Sequence, residues 1–274
     1  MTEARHRGFT LLEAIIAIVI TGIVAGMISS FMVLPIHAYL DSMRRAGMTD
    51  TADTALRRIA FELRGTVPNS LRVDASQQFL EYVPASDGGR YRSQLSSAGT
   101  EDILDSTSDT DTLFDVMGPE VSGAAGDHVV IFNTGQVGLD IYVGLNRRVL
   151  AGAAGAQVSF THILTTPFPP FESPNQRFQI VPASGPVSFA CEGMATVNGN
   201  GQGTLKRYTG YGFNGTQPTS GLGTGTLLAD NLSDCRFDYA AISASNGLLI
   251  LQLSITRDSE SVTLHHQVHV DNTP

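Results

Sequence analysis

The chain has 274 residues, with 26 acidic against 17 basic side chains and a formal charge of −9 at pH 7. Hydrophobic residues at 42%, charged residues at 16%, 28 glycines and 12 prolines describe a folded, loop-rich chain and exclude wholesale disorder or a long coiled coil. Lys206 is the only lysine and no Lys or Arg falls between Arg92 and Arg147, so no broad basic face is offered to nucleic acid. Two cysteines cannot build a disulfide-dense mini-domain or a four-thiolate zinc site.

The first predicted element is a membrane helix. From Ala14 to Leu34 the sequence carries no formal charge, and at 1.5 Å per residue a helix of that length covers about 30 Å, one bilayer core. Arg5, His6 and Arg7 precede it, and the positive-inside rule keeps them cytoplasmic and places everything after Leu34 on the outer side. The run is too long for a secretory signal peptide, while a plain anchor accounts for the length alone. Glu13 fits neither reading: a carboxylate at the start of an apolar run needs a partner.

The residues Gly8-Phe9-Thr10-Leu11-Leu12-Glu13, a basic leader and an unbroken apolar helix together resemble the processing motif of type IV pilins and type II secretion pseudopilins. The resemblance implies cleavage between Gly8 and Phe9 by a prepilin peptidase and N-methylation of the new Phe9 amine. Phe9 and Glu13 lie four residues apart on one helical face, at the positive end of the helix dipole. In a fibre of the kind the family forms, Glu13 would instead meet the Phe9 amine of a neighbouring subunit, which satisfies both charges. Gly22, Gly26, Ser29 and Ser30 are small residues that let neighbouring helices approach, or else ordinary membrane-helix composition.

Pro35 is expected to bend or end the helix. Beyond it Leu56, Ile59, Ala60 and Leu63 recur at helical spacing with Arg57, Arg58, Glu62 and Arg64 between them, an amphipathic stretch that Gly65 and Pro68 stop. The expected division is a leader over 1–8, a transmembrane and assembly half of the helix over 9–34, an amphipathic half over 35–65 and a strand-rich periplasmic head over 66–274. Expected strands are 70–73, 79–83, 128–132, 140–143, 157–163, 178–181, 187–191, 204–208, 235–239, 248–256 and 261–270. The last two form a hairpin about Arg257 to Glu260. One helix followed by runs of antiparallel strands is an α+β layout, and the family resemblance implies the pilin-like version, a long helix packed on an antiparallel sheet. Residues 93–127, acidic and without a base, the Pro/Phe segment about Phe168 and Phe171, and the Gly-rich stretch 193–225 read as excursions from one sheet.

A narrower likeness covers more of the chain. Thr51–Arg58, Pro68-Asn69-Ser70, His128–Gly135, Val187–Cys191 and Val268–Pro274 resemble minor pilins of the mannose-sensitive haemagglutinin (MSHA) pilus system. That implies a low-abundance subunit that initiates or caps a pilus, with a prepilin peptidase, other major and minor pilins and an inner-membrane assembly platform as partners. A J-type pseudopilin is the nearest alternative. A tethered adhesive module and a tethered enzyme stand outside the class.

Cys191 and Cys235 lie 44 positions apart in a region expected to face an oxidising compartment, where a disulfide is expected and two buried thiols are the alternative. His265 and His269 point to one side of a strand and His266 to the other, so a solvated face is expected and no metal site. Asp109, Asp111 and Asp115 lack the glycine and terminal Glu of a calcium loop, and a solvated acidic loop is expected. No nucleophile elbow, zinc-protease helix or phosphate loop is present, so neither an enzyme nor a cofactor is expected.

Overall fold

The structure, a computed structural model, describes residues 8–163, 167–243 and 245–274, with the backbone alone at Ser30 and 32–34. The leader positions Arg5, His6 and Arg7 lie outside the described residues. Two compact units divide the chain, Met1–Met48 and Thr49–Pro274.

One helix, α1 (Leu11–Leu63), begins in the first unit. It continues through Pro35, whose missing N–H and ring cost a helix interior about 3 kcal/mol, so the proline does not end it. In the second unit the last turns of α1 bury Ala52, Ala55, Leu56, Ile59 and Leu63, each 3% exposed or less. Each large aliphatic side chain buried this way contributes about 1.5–3 kcal/mol. Gly65 N–H then closes on Glu62 O at 3.3 Å, Thr66 N–H closes on Leu63 O at 3.4 Å, and Pro68 carries the chain away.

Among the described residues fifteen strands follow, in the order β1 (Arg72–Val73), β2 (Phe79–Tyr82), β3 (Asp87–Tyr91), β4 (Leu113–Met117), β5 (His128–Ile131), β6 (Arg147–Val149), β7 (Gln157–Ser159) and β8 (Arg177–Val181). The rest are β9 (Val187–Glu192), β10 (Thr196–Val197), β11 (Asn200–Gly201), β12 (Gly203–Thr209), β13 (Thr226–Ser243), β14 (Asn246–Arg257) and β15 (Glu260–Asp271). They form a seven-stranded sheet in the order β1-β2-β9-β12-β13-β14-β15, a six-stranded sheet in the order β6-β5-β8-β3-β4-β7, and the ribbon β10-β11. Every pairing is antiparallel. The architecture is the expected α+β one, an apolar N-terminal helix followed by an antiparallel sheet domain consistent with a pilin-like fold.

Two expectations are corrected. The head holds two sizeable sheets rather than one, because the acidic excursion contributes β4 and the glycine-broken run Asp87–Tyr91 forms β3. Residues 140–143, expected as a strand, form a turn in which Tyr142 N–H donates to Asp140 Oδ1 at 2.9 Å and Gly144 N–H to Asp140 O at 3.0 Å.

The six-stranded sheet packs around an aromatic centre, with Phe114 meeting Phe178 edge-on at 5.1 Å and Phe160 meeting Phe168 at 5.1 Å. In the larger sheet, β13 shifts register between Leu232 and Asp234, at the point where its pairing with β12 ends. Past the shift Phe237 N–H donates to Gln77 O at 2.8 Å, and Cys191 N–H donates to Gln78 O at 2.9 Å. The Cys191–Cys235 disulfide, with Cα atoms 6.1 Å apart, links β9 to β13 over the intervening β12.

Candidate functional site

The amino-terminal site is built on the first turn of α1. Thr10 is the N-cap: its Oγ1 accepts the Glu13 N–H at 3.3 Å and its carbonyl accepts the Ala14 N–H at 3.1 Å. Thr10-x-x-Glu13 is therefore capping-box spacing, and Glu13 sits in the first turn, where the helix dipole favours an anion. The Thr10 role was missed in the sequence, although a threonine three residues before a glutamate at the head of an apolar run is its signal.

Phe9, Leu11 and Leu12 are 74%, 79% and 68% exposed, and the window Leu11–Ser29, of mean hydropathy 2.5, has none of its residues buried. The single hydroxyl within its first turns, Thr21 Oγ1, donates to Ala17 O at 2.7 Å and so adds no unpaired polar group to an apolar surrounding. A Cβ added at Gly8, Gly22 or Gly26 would meet nothing within 4 Å, so the fold of the isolated chain has no use for glycine at these three positions.

The head holds several ion pairs that sequence spacing did not reveal. Glu62, on the last turn of α1, accepts from Tyr82 Oη at 2.7 Å, Arg207 Nε at 2.7 Å and Arg58 Nε at 3.1 Å. Burial pushes this carboxyl up, but hydrogen bonds from Tyr82 and Arg207 outweigh that and hold it below the usual range. Glu81, fully buried, pairs with Arg72 at 2.5 Å and accepts from Tyr211 Oη at 2.9 Å, yet burial prevails and its pKa is raised. Arg72 also donates to the carbonyls of Asn214 and Gly215 at 2.8 and 2.9 Å, which fastens the Gly-rich segment to β1.

The remaining sequence candidates do not converge. His265 and His269 are exposed on one side of β15 and His266 is half-buried on the other. Asp111 accepts the Asp105 N–H at 2.8 Å, Asp115 lies 3.7 Å from Arg92, and the Asp109 carbonyl contacts the His162 ring. Among the described residues no three of His, Cys, Asp and Glu form a group that would hold a metal ion.

Residues 4–29 match the family model of the prokaryotic N-terminal methylation motif. No curated protein matches the chain, and no solved structure does. With an apolar helix at the amino terminus and a β-sheet domain behind it, the match supports a membrane-anchored, type IV pilin-like or pseudopilin-like protein.

Proposed function

We propose that the chain is a minor pilin of a type IV pilus of the MSHA kind, similar to MshO, that helps to initiate or cap the fibre. The prepilin peptidase cuts between Gly8 and Phe9, the Phe9 amine is methylated, and residues 9–34 anchor the subunit with its head in the periplasm. Glu13 pairs with the Phe9 amine of a neighbouring pilin when the assembly platform extracts the subunit. Cleavage removes the cytoplasmic charges that hold the helix in one orientation, and it exposes a cation four residues ahead of an anion in a low-dielectric setting.

The observation that carries this reading is the bare apolar helix that begins at Leu11, two residues after Phe9, with an acid in its first turn. A capping role is supported by the head, whose two sheets would be hard to repeat along a thin fibre. Mass analysis of the protein from cells with a working pilus system tests the processing step, with the expected product starting at methylated Phe9. Cross-linking of sheared pili against the inner-membrane fraction tests placement. Recovery with secretion-system components instead would identify a J-type pseudopilin.

A further inference from the structure

Strand β15 ends the seven-stranded sheet, so one side of a 12-residue strand is left without a partner strand among the described residues. Folded proteins guard such edges with lysine, proline, bulges or brevity. Brevity guards the other sheet ends: β1 has 2 residues, and β6 and β7 have 3 each. β15 has no such guard. From Ser261 to Val270 it contains no Lys, Arg, Asp, Glu or Pro, and its register with β14 runs from Arg257↔Glu260 to Asn246↔Asp271 without a shift.

Beside this edge lies a groove of about 550 Å³ lined by Asp53, Arg57, Ala60, Phe61, Arg64 and His266. Phe61 stands 74% exposed on the last turns of α1, facing away from the buried stripe of Leu56, Ile59 and Leu63. Arg57 is engaged by Asp53 at 2.7 Å, whereas the exposed Arg64 side chain has no ion pair among the described residues. His266 lies opposite the buried Leu251 on the face of β15 that borders the groove, while His265 and Gln267 point the other way. A strand added outside β15 would place alternate side chains next to His266, within reach of Phe61 and Arg64. Two arginines and one aspartate line the groove itself on a chain of net charge −9, and Arg64 also borders a second hollow that holds Asp271.

We infer that the β15 edge and the Phe61 groove form one docking site for an extended segment of another chain, which joins the sheet as an eighth strand. That segment places an acidic side chain at Arg64 and apolar side chains over Phe61. Main-chain hydrogen bonds along β15 supply affinity, and the groove reads the alternate side chains. A second copy of β15 carries its acids only at its two ends, Glu260 and Asp271, and offers none at the centre of the strand opposite His266. The inference concerns the head alone and stands apart from the role of the amino-terminal motif.

The test uses the full chain in detergent micelles and a fluorescent, end-blocked heptapeptide with Val, Glu and Val at its second, fourth and sixth positions and Thr elsewhere. Anisotropy should show saturable binding, weakened about tenfold or more when Lys replaces the central Glu or when alternate amides are N-methylated. Arg64→Glu should reverse the preference to the Lys peptide while leaving thermal unfolding unchanged. Absence of saturation up to about 1 mM peptide, equal binding of the N-methylated form, or an unchanged preference in Arg64→Glu would each overturn the site. Self-association of the chain that disappears in Gln267→Lys would put a second copy on the edge and overturn the assigned occupant.

Discussion

Glu62 and Arg207, 145 positions apart, meet at 2.7 Å, joining the last turn of α1 to strand β12. Tyr82 completes the contact from β2, so one carboxylate gathers a helix and two strands of the large sheet. Arg207→Ala leaves a mostly buried carboxylate with fewer donors and should destabilise the head by about 2 kcal/mol, measured by urea unfolding. Because the folded pKa of Glu62 is depressed, its contribution is complete above the ordinary carboxylate range and disappears as pH falls through the lower folded value. Glu62→Gln should therefore be less stable than wild type at neutral pH, and the difference should shrink in acid.

His128 responds to pH in a different window. Burial, and then the neighbouring Arg147, lower its pKa to about 4, while its ring meets Phe213 edge-on at 5.1 Å. The folded state holds it neutral, so stability is full above an unfolded pKa of about 6.5 and is lost as pH falls toward the folded value. His128→Leu should flatten the difference in unfolding free energy across that window. A variant curve parallel to wild type would remove this group from the acid limb.

The Cys191–Cys235 bridge closes a loop of 44 residues that contains the Gly-rich excursion. Cys235→Ser should cost about 4 kcal/mol by the loop-entropy estimate. Alkylation should label wild type only after reduction, and label taken up beforehand would contradict the bond.

Gly8→Leu should leave the precursor uncut while the head unfolds at the wild-type temperature, since a side chain at this position meets nothing within 4 Å. Intact mass and a thermal melt of the same preparation separate recognition by the peptidase from damage to the fold.

Glu13→Ala should be cleaved and inserted normally yet be depleted from sheared fibres. Wild-type incorporation would remove the assembly role given to this carboxylate. Thr10→Ala is the companion variant: it should loosen the first turn by about 1 kcal/mol, the usual worth of an N-cap, without removing the charge.

The amino-terminal motif was legible because its elements are contiguous: a small residue, an aromatic, an acid and an apolar run all fall between Gly8 and Leu34. The hairpin β14–β15 was equally plain, since strict alternation on both sides of Asp258-Ser259 leaves one register, and both turn residues adopt positive φ. Strand β3 went unassigned because Gly88 and Gly89 interrupt any alternating pattern. In the structure a Cβ at Gly88 would come within 2.8 Å of Phe178 O, so that glycine serves close strand approach. Residues 140–143 misled in the opposite direction, because alternation over four residues is also what an Asp-led turn with two apolar anchors produces. The Glu62 cluster was beyond reach for a different reason: its members are brought together by sheet order, which no local pattern encodes.

An exposed greasy rod of nineteen residues ties the life of this subunit to whatever medium surrounds it. Moving such a segment from lipid into water is prohibitive at about 25 cal/mol per Å² of apolar surface, so departure from the bilayer is feasible only if other rods replace acyl chains contact for contact. In the proposed assembly, release and polymerisation would then be a single act of solvent exchange, and a lone subunit pulled free of both would have nowhere to go but back.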